Sequence, residues 1–169
     1  MIFTDAEQRF LTRQPRGHLS TIGPDGTPQV KPLAFTYNTA LGTIDITGYA
    51  MASSAKYRNV QANPRVAFVV DEVTEPTVQG AHFLEIRGLA ETVTRPAADS
   101  HLAPEIIRIH PRRVVAFNVD PDSPGLHTRD IGLGGTSSVG ASAVSASAVG
   151  SDGASAVGSD SRKLLDQAG

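Results

Sequence analysis

Two serine hydroxyls and two cations crowd the segment Ser53-Ser54-Ala55-Lys56-Tyr57-Arg58-Asn59, just after an alternating stretch that ends at Thr47-Gly48. A strand end that feeds a helix start leaves backbone N–H groups free, and the helix dipole adds partial positive charge there. Ser53 and Ser54 can donate hydrogen bonds and Lys56 supplies a full charge, so the corner suits a phosphate. A serine cap followed by basic residues is also how an ordinary solvated helix begins, and these residues alone fit both readings.

Other chemistries find less support. His18, His82, His101, His110 and His127 are scattered, without the i, i+4 spacing and nearby acid of a helical zinc site. His18, His82 and His110 read as histidines with satisfied hydrogen bonds. The chain has no cysteine, which removes disulfides, thiol nucleophiles and thiolate-held metals. No Gly-x-Ser-x-Gly elbow presents a serine nucleophile. Gly132-Leu133-Gly134-Gly135 lacks the strand-to-helix setting of a dinucleotide fingerprint. Seventeen acidic against fifteen basic side chains give a formal charge of -2, so nucleic acid is not an expected partner. The first residues carry acids and no apolar h-region, and no eighteen apolar residues run together, so the expectation is a soluble, cytoplasmic protein without a membrane partner.

The elements that must position the 53–59 corner follow from pattern. Thr4 with Glu7 predicts a capped helix opening at Asp5 and ending before Pro15. Residues 18–22 and 29–37 flank Gly23-Pro24-Asp25-Gly26-Thr27-Pro28 as a hairpin, and residues 43–49 add a third strand to a meander. Residues 53–63 predict a short helix stopped by Pro64, followed by a buried strand over 65–71. After a loop at 72–80 comes a strand over 81–93 with Gly88 as a bulge or bend. Residues 104–109 suit helix or strand, and 113–120 make the sixth strand. The expected fold is mainly β: a six-stranded antiparallel barrel with short flanking helices, over residues 1–131. From Gly132 the chain is Gly, Ser, Ala, Val and Asp, with Ala-Ser-Ala-Val at 141–144, 146–149 and 154–157. Residues 132–169 therefore read as a low-complexity, disordered tail.

Three stretches resemble the flavin-binding split barrels that include pyridoxamine 5'-phosphate oxidase and the deazaflavin-dependent oxidoreductases of actinobacteria. They are Gly17-His18-Leu19-Ser20-Thr21-Ile22 with Asp25 to Leu33, Lys56-Tyr57-Arg58-Asn59-Val60-Gln61-Ala62-Asn63-Pro64-Arg65-Val66-Ala67, and Phe83-Leu84-Glu85-Ile86-Arg87-Gly88-Leu89-Ala90-Glu91. The resemblance covers about residues 5–120. It implies a split β-barrel homodimer with the cofactor along the subunit interface. Carried over by position, Gln29, Val30, Lys31 and Pro32 would line the ring system, Thr47 and Gly48 the ribityl chain, and Ser53, Ser54, Lys56 and Asn59 the phosphate end. Many members carry an arginine where this chain has Ser54, which leaves Lys56 as the expected cation.

The Val30-Lys31-Pro32 strand is more similar to the deazaflavin enzymes, so the resemblance implies coenzyme F420 first and FMN as the alternative. Pyridoxamine oxidases use extra C-terminal arginines for a substrate phosphate, whereas Arg129 is the one arginine between Val119 and the tail. The implied activity is hydride transfer to or from a small organic substrate, with chemistry supplied by the cofactor and no obligatory side-chain acid or nucleophile. A carrier that binds a flavin, deazaflavin or haem-like ligand without turnover is the non-enzymatic alternative.

Overall fold

A computed structural model describes residues 1–96, 101–132 and 138–139. Helix α1 spans Asp5–Arg13 and opens with the expected capping box: Glu7 N–H donates to the Thr4 hydroxyl, and Thr4 N–H donates to the Glu7 carboxylate. Ala6, Phe10 and Leu11 form its buried stripe. Strands β1 (Gly17–Ile22) and β2 (Pro28–Leu33) pair antiparallel from Gly17↔Leu33 to Ile22↔Pro28.

The reading of residues 29–37 as one strand is corrected at Ala34, which separates β2 from β3 (Phe35–Asn38). The reason lies in pairing. β2 pairs with β1, β3 pairs with β4 (Thr43–Ile46), and the sheet runs β2-β1-β5-β6-β7-β4-β3. β2 and β3 thus lie at the two ends of one path, and the chain crossing at Ala34 curls the antiparallel sheet into a half-barrel. The expected meander is divided between the two ends. Helix α2 (Ala55–Ala62) precedes β5 (Arg65–Val73), and β6 (Ala81–Thr94) follows the loop.

Residues 104–109, which suited either helix or strand, are extended. They open β7 (Glu105–Phe117). The sequence predicts six strands and the described residues form nine: the split at Ala34 adds one, and β8 (Leu126–Asp130) and β9 (Ser138–Val139) add two. The expected disordered tail otherwise falls outside the described residues, β9 being paired to β8 through its backbone.

The β6–β7 ladder carries the bend anticipated at Gly88. The register shifts between Arg87 and Gly88, so Arg87 faces Arg113 while Gly88 faces Pro111. A Cβ on Gly88 would lie 2.2 Å from the His110 carbonyl oxygen. Pro111 has no N–H to offer a ladder. The two residues let the backbones approach and turn, and they divide β7 on its other edge. Residues Ile107 to Ile109 pair with β4, and residues 113–117 pair with β8. Between them Ile131 N–H donates to the Arg112 carbonyl at 2.7 Å.

The core lies on the inner face, where Leu19, Ile44, Ile46, Phe68, Leu84 and Ile109 are at most 1 % exposed. Phe35 on the end strand β3 meets Phe68 on β5 edge-on, with ring centroids 5.0 Å apart. The closure through β4 buries a charge. Asp45 on β4 is 3 % exposed and accepts two hydrogen bonds from Arg108 on β7, at 2.8 and 2.7 Å. Burial alone would raise the Asp45 carboxyl, but the bonds from Arg108, Asn38 and Thr43 and the guanidinium charge outweigh it and hold it below the ordinary carboxylate range.

Two expected outcomes follow from this arrangement. Gly88→Ala should cost about 2 kcal/mol or more, because the added methyl meets backbone and not a movable side-chain tip. Denaturant unfolding measures this, and a loss below about 0.5 kcal/mol would show that the bend tolerates a side chain. Asp45 is lowered in the folded state, so its stabilisation is complete above the ordinary carboxylate range and is lost as pH falls below about 4. Asp45→Ala strands Arg108 and should cost about 3 kcal/mol at neutral pH, with a smaller further loss on acidification than the parent shows.

Candidate cofactor-binding site

Helix α2 begins where the chain leaves β4 and turns over the inner face of the β1–β2 hairpin. Ser54 is its N-cap: the hydroxyl accepts from Tyr57 N–H at 3.4 Å and donates to the Met51 carbonyl at 2.7 Å. Ser53 is spent similarly, donating to the Ala50 carbonyl at 3.1 Å. The hydroxyls expected to face an anion are thus engaged in shaping the turn. The helix ends at Asn63 before Pro64.

Tyr57, Asn59 and Val60 are the buried residues of α2. Asn59 is 6 % exposed, and its side-chain amide donates to the Thr21 hydroxyl at 3.0 Å and to the Gln29 side-chain oxygen at 3.1 Å. Its polar end is therefore held by the hairpin. Asn59 acts on the site by fixing Gln29 and the pitch of α2, where the resemblance had implied the phosphate end.

Between α2 and the hairpin lies a cleft of about 270 Å³, lined by Leu19, Thr21, Gln29, Lys31, Pro32, Leu33, Ser54, Ala55 and Lys56. Five of the ten residues expected at a cofactor site are brought together there: Gln29, Lys31, Pro32, Ser54 and Lys56. The register explains part of the set. Thr21 faces Gln29 and Leu19 faces Lys31 across an antiparallel ladder, and opposed residues share a face. Leu19, Thr21 and Leu33 were missed as lining residues, although the alternation of the hairpin, read together with Gln29 and Lys31, carried that signal.

The other expected residues lie elsewhere. Val30 is 57 % exposed and pairs with Ser20 on the opposite face of the hairpin. Thr47 and Gly48 follow the end of β4 outside the cleft lining, and the Gly48 carbonyl accepts from Ala103 N–H at 2.9 Å. Ser53 is exposed on the turn.

Charge gives the cleft its character. Lys31 reaches it from β2 and Lys56 from α2, and no carboxylate is among the lining residues. Neither lysine has a salt bridge among the described residues. Where the Ser54 position had suggested a single cation, the hairpin contributes a second. Two cations beside a helix N-terminus form a donor set suited to a phosphate or another strongly acidic oxygen group.

A second cleft, of about 200 Å³, opens under α1 against β7 and β8 and is lined by Glu7, Val114, Ala116, Ser123, His127 and Arg129 among others. Arg129 donates to the Ile2 carbonyl at 2.8 Å and pairs with the buried Glu7. The one arginine near the C-terminal side is thus committed to holding α1 on the sheet. Among the described residues no group of three or more His, Cys, Asp and Glu is placed to hold a metal ion, and no helix is long and apolar enough to cross a membrane.

Comparison with known proteins identifies the family. The family model described as pyridoxamine 5'-phosphate oxidase matches residues 3–127. The 5a,11a-dehydrotetracycline/5a,11a-dehydrooxytetracycline reductase of Streptomyces rimosus is 42% identical over 134 residues, covering 78% of this chain and 94% of that protein. Two solved structures share the fold. A conserved hypothetical protein of Mycobacterium tuberculosis has a TM-score of 0.58 at 22% identity, covering 80% of this chain and 95% of its own. A heme binding protein from Mycobacterium smegmatis has a TM-score of 0.55 at 15% identity, covering 77% of this chain and 60% of its own. The family match over most of the chain and the extent of the likeness to a reductase place this chain in the pyridoxamine 5'-phosphate oxidase family, as an oxidoreductase.

Proposed function

We propose that this protein is a deazaflavin-dependent reductase, using coenzyme F420, or FMN in its place, to reduce a small unsaturated organic molecule. One observation carries the reading: Lys31 and Lys56 converge on a cleft that no carboxylate lines, at the N-terminus of α2. The reductase named as acting on dehydrotetracyclines supports the direction of the reaction and the class of substrate.

When bound, the cofactor supplies hydride transfer. The chain's part is to bind and orient. Lys56 and the first N–H groups of α2 hold the phosphate end, and Lys31, Pro32 and Leu33 flank the remainder along β2. Gln29 lines the cleft and is held in place by the bond that its side-chain oxygen accepts from Asn59. Leu19 and Leu33 add apolar wall, and partial exclusion of water strengthens the charge-assisted bonds.

The protein acts as a homodimer in this reading. The outer face of the sheet presents Val69, Phe83, Val115 and Phe117, each half-buried in one copy, with Phe83 and Phe117 stacked at 5.6 Å. Val30 continues this face on the hairpin, directly behind the cleft strand. A second copy seated here would cover apolar surface and lie against β2.

Affinity for F420 and for FMN, each measured on the purified protein, tests the cofactor. Lys56→Ala should weaken the preferred one roughly ten- to a hundred-fold, the worth of one charge-assisted hydrogen bond at about 1.5–3 kcal/mol. Its melting temperature should stay close to the parent's, as a half-buried lysine with no ion pair contributes little to folding. Unchanged affinity for both cofactors would remove the phosphate assignment. Val115→Asp should convert a micromolar dimer to monomer by light scattering while the far-ultraviolet circular dichroism is retained. A dimer that persists would place the interface on another face.

A further inference from the structure

A histidine outside the cleft at α2, His82, competes with a backbone carbonyl for a single hydroxyl proton when its ring is neutral. Its Nδ1 lies 2.6 Å from the Asn118 carbonyl oxygen, which only accepts, so Nδ1 carries a proton in every state of the ring. Its Nε2 lies 3.4 Å from the Thr74 hydroxyl. That hydroxyl has one proton and a second claimant, since it also donates to the Gly80 carbonyl at 3.2 Å. With His82 neutral, Nε2 and Gly80 compete for the Thr74 proton and one contact is lost. With His82 protonated, Nε2 donates to Thr74, Thr74 donates to Gly80, and every contact is made.

The ring sits at a junction. The loop from Thr74 to Gly80 is closed by Thr74 N–H donating to the Gly80 carbonyl at 2.9 Å, and Gly80 is packed so closely that a Cβ there would lie 2.4 Å from the Glu75 carbonyl oxygen. Asn118, in the left-handed region at φ 51, spans to the neighbouring turn. Its side-chain nitrogen donates to the Ala81 carbonyl at 3.2 Å, and its side-chain oxygen accepts from Gly125 N–H at 2.8 Å. The turn it holds carries Asp120 and Ser123, which line the cleft under α1.

We propose that His82 is a proton-operated latch: its protonation completes a chain from Asn118 through Thr74 to Gly80, tightening the 74–80 loop. The charged groups on the surrounding elements are Glu72, opposite His82 on β5 and bound by Arg13 of α1, Glu75 in the loop, and Asp120 and Asp122 in the turn. None makes a hydrogen bond to the ring among the described residues, so the loop senses the proton through Thr74.

Hydrogen exchange at Gly80 and Ala81 tests this on the full chain, with rates corrected for the pH dependence of intrinsic exchange. Protection at these amides should rise about fivefold from pH 8 to pH 5.5, the effect of one net hydrogen bond, while β1 amides stay constant. Thr74→Val removes the relay and His82→Asn removes the titration while keeping a donor toward Asn118, so both should flatten the profile. A flat profile in the parent overturns the latch, and so does a rise that survives in Thr74→Val.

Discussion

The bend where Gly88 faces Pro111 is the constraint from which the rest of the arrangement follows. β6 and β7 are each long enough to run through the whole sheet, and as straight ribbons they would demand one partner strand along the full outer edge of β7. With the register shifted at Arg87, the lower half of β7 turns to meet β4 and the upper half meets β8. Closure through β4 brings Asp45 against Arg108 and lets β3 return beside the far end of the path. The same bend fixes the exit of α2, because Ala90 N–H, two residues past Gly88, donates to the Pro64 carbonyl at 2.8 Å. A helix pinned at its C-terminal end over β6 must project its N-terminus over the β1–β2 hairpin, which is where the two lysines meet.

Charge is handled differently in the frame and in the cleft. Asp45 with Arg108, and Glu7 with Arg129, are buried pairs whose partners come from distant parts of the chain, 63 and 122 residues apart. Removing either partner leaves a charge in a poor dielectric, so such pairs enforce one topology more than they add stability. Lys31 and Lys56 instead share a cleft without a carboxylate, where their mutual repulsion opposes the folded state. An anionic ligand removes that repulsion and gains from it, so the arrangement favours binding at some cost to the empty protein.

Much of the frame was legible because it is written in local chemistry. Thr4 and Glu7 announce a capping box, Asp25-Gly26 a turn, Pro64 a helix stop and Gly88 a bend, and each acts within a few residues of itself. The break at Ala34 was not legible, since nothing in Leu33-Ala34-Phe35 differs from a continuous strand and the interruption arises from pairing with opposite ends of the sheet. β8 was hidden for a related reason: Leu126-His127-Thr128-Arg129-Asp130 shows little alternation and is held by the upper half of β7. In the site, residue types pointed to Lys56 and the family resemblance implied Lys31, but the commitments of Ser54 and Asn59 depend on distances that no spacing encodes.

Asn59 shows why this matters for the cleft. α2 buries only Tyr57 and Val60 as apolar side chains, a thin contact for a helix that carries Lys56 into the cleft. Apolar packing is non-directional and would leave a short helix free to roll on the hairpin. The Asn59 amide supplies direction: its two N–H groups meet acceptors on both strands, Thr21 on β1 and Gln29 on β2, in a site nearly closed to water. Rolling the helix would break both bonds and bury the amide unpaired, which costs about 1–3 kcal/mol per group. The position of Lys56, one turn before Asn59 on the same helix, is therefore set by a polar contact that has no ligand of its own.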